Sequence, residues 1–414
     1  MHTAAKTNFA EKYRQAIYKT LCAGLLLFTN SFLVFPEVSW VKSTFYWLIL
    51  FPCILLLPLE IRRFPFKSKA FLGFMALPVY LCISHLWASQ DEITRGFLFF
   101  LKQIVFLFTL LFSLWVTIRQ NRSFFLQLTS SLVVSGAFMA FISIAQHIFI
   151  NGDVFVYKEL MGFSTNDSNK AAAFHSVHLG LCCCFLFFNT ALRKSINAKF
   201  LLTIAIALDV ALIYLTQAKG PWLIIPIVCF VLVMYKSTIS TRIITSLIVA
   251  SITAIVTWYF KPIEILDGMF SYRIRVTLVK ESISQMEGNF LYGLGLTYKL
   301  PVSDTGLTHS HNIFADSFRF GGIIALLLMI GQVLSIVWLQ VSANDNLNSF
   351  MAFVWFFVGV GLLSLYGQQV LTRPGYIWFL YWIPASITIA GYLNRSNGHS
   401  SICNGDGVNR SLQS

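Results

Sequence analysis

Long apolar runs follow one another along almost the whole chain, as in "AGLLLFTNSFLVF" and "IIALLLMIGQVLSIVWL", and they leave few architectures open. A bilayer core about 30 Å thick needs roughly 20 apolar residues of helix. Lipid offers backbone amides no partner, so only helices and closed barrels can cross it. Runs of this length read as helices, and twelve are counted: about 16 to 36, 43 to 60, 70 to 88, 97 to 117, 124 to 150, 171 to 191, 199 to 216, 220 to 235, 243 to 261, 312 to 340, 349 to 367 and 374 to 393. The expected fold is an all-α integral membrane protein, with residues 1–393 as one polytopic domain and 394–414, "NRSNGHSSICNGDGVNRSLQS", as a disordered tail. The run from Ala16 is too long for a signal-peptide core and is expected to be retained.

Composition decides between membrane and nucleic-acid readings of the +13 net charge. Only 11% of residues are charged and mean hydropathy is +0.71, so the cations are short-loop residues rather than a nucleic-acid face. With the N-terminus placed inside, the short loops carrying Arg62, Arg63, Lys67, Lys69, Arg193, Lys194 and Lys199 satisfy the positive-inside rule, and both termini are cytoplasmic. That rule gives no reason for Lys219, Arg273, Arg275, Lys280, Arg319 and Arg373 on or near the outer face. Excess cation there suggests an anionic ligand. Seven of the eight cysteines lie in apolar runs, so neither a disulfide framework nor a metal-spaced CxxC pair is read.

Two outer loops are long, about 151 to 170 and about 262 to 311. Within the second, Phe270, Ile274, Leu278, Ile283 and Met286 approach helical spacing, which predicts an amphipathic surface helix over 270–287. "EGNFLYGLGL" ends it. At the loop's far end stands "THSHNIFADSFRFGG", residues 308–322. His309 and His311 point the same way on an extended segment, and two histidines without further ligands make a poor metal site. His311 meets the membrane where an imidazole of ordinary pKa near 6.5 suits general-base work. Asn312, Asp316 and Arg319 follow at helical spacing. Their alternative reading is a helix cap and an Asp316 to Arg319 ion pair. Lys219 reads either as a snorkelling lysine or as an anion ligand, and Arg273 and Arg275 as lipid-headgroup or substrate contacts. Lys102 and Asp209 lie deeper in spans, where a charge is functional by default, and could pair with each other.

Together "SYRIRV", "LYGLGL", "HSHN" and "TQAK" resemble the O-antigen ligase family, which forms a superfamily with O-antigen polymerases and protein O-oligosaccharyltransferases. The family motif is His, then Asn, Ser or Gln, nine residues, Gly, two residues, and Gly, Thr or Tyr. His311, Asn312 and Gly322 match, and Ala325 departs from it. Lys219 stands where family members carry arginine, keeping the charge without the bidentate fork. The resemblance implies a GT-C-like glycosyltransferase of the bacterial inner membrane with a large periplasmic loop between spans 9 and 10 and an active site facing the periplasm, where that loop meets the membrane. It implies transfer of a glycan from undecaprenyl-pyrophosphate-linked O-antigen to a sugar hydroxyl of lipid A-core, with membrane lipid as partner and no nucleic acid, cofactor or metal. By the same resemblance His311 is the catalytic base, Lys219, Arg273 and Arg275 hold the pyrophosphate, and Asn312, His309, Asp316 and Arg319 support them. Competing expectations are an O-antigen polymerase, which lengthens the glycan on its carrier, and a lipid-linked sugar transporter, which would line a path at the bilayer midplane.

Overall fold

The computed structural model describes residues 2–35, 38–87, 93–151, 167–189, 192, 194–216, 218, 220–222, 224–226, 276–296, 298, 309–343 and 347–403. Nine helices among them are long and apolar enough to cross a membrane: α1 (His2–Val34), α2 (Val38–Arg63), α3 (Lys69–Trp87), α4 (Ile93–Gln120), α5 (Phe124–Asn151), α6 (Ser168–Phe188), α7 (Ile196–Thr216), α8 (Ile313–Val341) and α9 (Leu347–Tyr366). The chain is an all-α, multi-pass membrane protein, with no strand among the described residues. Runs 220–235 and 243–261 fall almost wholly outside the described residues. The twelfth run opens on a π turn at Trp378–Trp382 and continues as α10 (Ile383–Cys403). This helix extends into the segment read as a tail, where the Asn394 side-chain amide donates to the Trp115 carbonyl at 3.0 Å; residues 404–414 lie outside the described residues.

Many apolar side chains face outward, among them Trp338, Phe149 and Val134. In water such a surface would be a liability, whereas lipid solvates it. The helices reverse direction at each turn, so their ends form two faces. On one, Glu60 is fully buried and accepts from Arg14, Arg119 and Tyr18. A buried carboxylate persists only when paired in this way. The opposite face gathers the start of α8, the end of α9 and the strap from 367 to 375.

Two features build that second face. First, α8 is broken at Gly321 and Gly322, the latter with φ 66° and ψ −162°. The chain at 289–295 fills the break. The amides of Leu294 and Gly295 donate to the carbonyls of Arg319 and Phe320 at 2.8 and 3.0 Å, and Ile323 donates to the Phe290 carbonyl at 2.9 Å. The backbone groups freed by the break are thereby paired, as a membrane-embedded site requires. Second, the π turn leads into the last helix with its rings inward. Trp355 donates to the Phe379 carbonyl, while Trp378 and Trp382 donate back to the carbonyls of Thr372 and Val370. These bonds pin the strap that carries Gln368 and Arg373.

Of the amphipathic helix expected over 270–287, residues 270–275, with Phe270 and Ile274, lie outside the described residues. Residues 276–284 are helical, with Leu278, Ser282 and Met286 buried and Ile283 exposed. The buried side thus recurs every four residues, and Ile283 points away from it.

Candidate functional site

The "HSHN" segment is a tight turn held from beneath. Ser310 is buried, and both its amide and its hydroxyl donate to Asp316 Oδ1, at 3.2 and 2.8 Å. Arg319 pairs with the same oxygen at 3.0 Å, and both members of that ion pair are buried. The Asp316 to Arg319 pair read from spacing is therefore present. It faces inward, clamping the turn to the first helical turns of α8. Asn312 is the N-cap: its Oδ1 accepts from the amides of Phe314 and Ala315, and its Nδ2 donates to the Ser364 carbonyl at 2.9 Å. Both ends of that side chain are engaged, so it orients the helix start.

His311 is the only non-glycine residue with positive φ among the described residues, at 55°. A left-handed backbone costs an L-residue roughly 1–2 kcal/mol, and such strain gathers at functional sites. The conformation brings its ring to 4.0 Å from that of His309, centroid to centroid. His309 is fixed in turn: its Nδ1 accepts from the His311 amide at 3.4 Å, and its Nε2 lies 2.9 Å from the Gln368 side-chain amide.

Burial, reinforced by the charge of Arg319, pushes the His309 imidazole below its ordinary value. His309 is thus held neutral. The unfolded chain binds this proton first, so the stabilisation is complete above about pH 6.5 and is lost as pH falls through the lower folded value. Thermal unfolding followed from pH 7.5 downward should show stability falling below pH 6.5, and the fall should be shallower in His309→Gln. An unchanged profile in that variant would remove His309 from the account.

Gln368 also lines a cleft of about 250 Å³, with Lys170, Thr372, Arg373, Tyr376 and the rings of Phe32, Phe35 and Phe174. Asp167 caps α6, accepting from the amides of Asn169 and Lys170, and pairs with the Lys170 ammonium at 3.0 Å. The ammonium also stands 5.4 Å from the centre of the Tyr376 ring. The cleft therefore combines aromatic walls with a cationic mouth, one residue away from the histidine pair. That chemistry suits a lipid-borne phosphate.

Lys219, Arg273 and Arg275 lie outside the described residues. Gly220, next to Lys219 in sequence, donates its amide to the Tyr366 hydroxyl at the end of α9, on the face of the histidines. Lys102 and Asp209 do not form the pair considered from sequence. Lys102 lies near the rings of Phe99 and Phe106, whereas Asp209 bonds His175 and His178. Sequence reasoning passed over Lys170, in the first turn of α6, and Gln368, in a short strap. The Asp-x-x-Lys start of α6 is the one local signal for Lys170.

No protein-family model matches the chain, and no curated protein matches it significantly.

Proposed function

We propose that the chain is an O-antigen ligase, moving a glycan from undecaprenyl pyrophosphate to a sugar hydroxyl of lipid A-core at the periplasmic face of the inner membrane. The observation that carries the reading is His311. It is a backbone-strained histidine in contact with a second, held neutral, and it is joined through Gln368 to a cationic, aromatic-walled cleft. The order of the "TQAK", "LYGLGL" and "HSHN" motifs supports it, as does the docking of the Gly-x-Gly loop into the break at Gly322.

In this reading His311 accepts the proton of the acceptor hydroxyl. The freed oxygen pair forms the new bond at the anomeric carbon while the bond to the pyrophosphate oxygen breaks, and the departing pyrophosphate keeps that electron pair. Arg373 and Lys170 offset its charge, alongside Lys219, Arg273 and Arg275 as the resemblance implies. One displacement inverts the anomeric carbon. His309, Asp316, Asn312 and Arg319 position the turn.

Purified protein given lipid-linked O-antigen and lipid A-core, without nucleotide or added metal, should produce glycosylated lipid A-core. Arg373→Gln should raise the donor KM several-fold. Glycan lengthened on the lipid carrier instead would make the chain a polymerase. Lipid-linked glycan crossing proteoliposomes unconsumed would make it a transporter.

A further inference from the structure

His175 and His178 stand one turn apart on α6, about two turns below its start, and face Asp209 of α7. All three are buried: His175 is 4% exposed, His178 1% and Asp209 0%. Asp209 Oδ1 is 2.8 Å from His175 Nδ1, and its Oδ2 is 2.5 Å from His178 Nδ1. One ligand atom from each residue lies within 4.8 Å of the other two.

The decisive residue is His178. Its Nε2 lies 2.8 Å from the Val133 carbonyl of α5, which can only accept, so the ring proton is there. A neutral imidazole carries one N–H, which leaves the Nδ1 lone pair aimed at a carboxylate oxygen. The two lone pairs face each other unless a cation sits between them, either a second ring proton, which the 2.5 Å spacing accommodates, or a metal ion that takes that proton's place. A histidine whose far nitrogen donates to a backbone carbonyl, and whose near nitrogen faces a carboxylate, has the outer-shell arrangement of a metal ligand. The helices make room for this ring: a Cβ on Gly136 of α5 would come within 2.2 Å of His178 Cδ2.

We propose that His175, His178 and Asp209 bind one divalent transition-metal ion, of the zinc class, that pins α6 to α7 inside the membrane. Two imidazoles and one carboxylate are a borderline-soft set that suits zinc. Ligand bonds of about 2.0–2.2 Å require the nitrogen and oxygen atoms to separate by less than about 1 Å from their present spacing. The ion offsets the buried carboxylate, whose charge otherwise depends on a proton held by a histidine. It lies one layer beneath the cleft, since Phe174, adjacent to His175, lines the cleft wall. Three protein ligands leave the fourth position of a tetrahedral ion to a water, and the site is separate from the histidine turn at 309–311, so the inference stands or falls without the ligase reading.

The test uses full-length protein in detergent, stripped with chelator, exposed to zinc, passed through a desalting column and assayed for metal per chain. Wild type should keep one ion per chain and gain thermal stability from it. Asp209→Asn should keep less than a tenth as much and show no thermal shift, whereas a His309→Ala, His311→Ala double variant should keep the ion. No retained ion in wild type, or equal retention in Asp209→Asn, would overturn the site. Should Asp209→Asn fail to fold, cobalt added to wild type decides. Intense visible bands of a four-coordinate ion support the site, and the weak spectrum of hydrated cobalt overturns it.

Discussion

His311→Gly should abolish glycan transfer while the protein remains as stable as wild type or gains slightly. The two effects separate because His311 has φ 55°, a conformation that glycine adopts freely and a side chain strains. Relief is worth roughly 1–2 kcal/mol. Loss of a general base costs about 10²–10⁴ in rate. A residue kept only for its turn would show the opposite pattern, since glycine satisfies a left-handed turn better than histidine. His311→Ala keeps the strain and loses the imidazole, so it should be as inactive as the glycine variant and less stable. Transfer rates and unfolding midpoints of both variants make the comparison. Near wild-type transfer by His311→Gly would reduce the residue to a turn former.

The helices were legible because lipid imposes one rule on every span. The runs at 124–150 and 312–340 correspond to α5 and α8 almost residue for residue, since an apolar run can satisfy its backbone in lipid only as a helix. Features that depend on a distant partner were not legible. The glycine pair in "FRFGGII" permits a break, but whether one forms is settled by a loop some thirty positions earlier, whose atoms repair it. The π turn at Trp378–Trp382 likewise answers to packing against α9, where the Trp355 indole takes a carbonyl of that turn. A sequence window sees neither partner.

At the site, His309 and His311 were expected to point the same way on an extended segment; their rings are in contact, but through a turn in which His311 takes φ 55°, which spacing alone does not show. The ion pair of Asp316 and Arg319 followed equally from spacing along one helix. Asn312 was legible as a cap, and its second bond, to the Ser364 carbonyl, was not, because that carbonyl comes from another helix. Asp209 was singled out correctly as a charge that needs a partner. Its partners came from "HSVH" on α6, where the histidines sit within an alanine-rich, apolar segment that signals only close packing. Charge in a span can be flagged from sequence, whereas the group that answers it is a property of helix neighbours.

Gly322→Ala should have a large structural effect at this face. A Cβ there would fall 2.2 Å from the Leu291 carbonyl oxygen and 2.6 Å from the Tyr292 nitrogen. Both belong to backbone, so no rotamer change can yield. The residue also has φ 66° and ψ −162°, a region open essentially to glycine alone. Strain of about 1–3 kcal/mol adds to overpacking of about 1–3 kcal/mol, a sum comparable with the three backbone bonds that hold the loop at about 0.5–1.5 kcal/mol each. The loop at 289–295 should leave the break, exposing the carbonyls of Arg319 and Phe320 and freeing the helix segment that carries Asp316. Transfer should therefore fall with His311 still present. Limited proteolysis should cut the variant within 289–295 under conditions that spare wild type. Gly331→Ala, on the same helix with nothing within 4 Å of its Cβ, should be silent in both assays. If Gly322→Ala resists protease as wild type does, the loop is not held by the helix break, and the coupling between the Gly-x-Gly loop and the histidine turn is wrong.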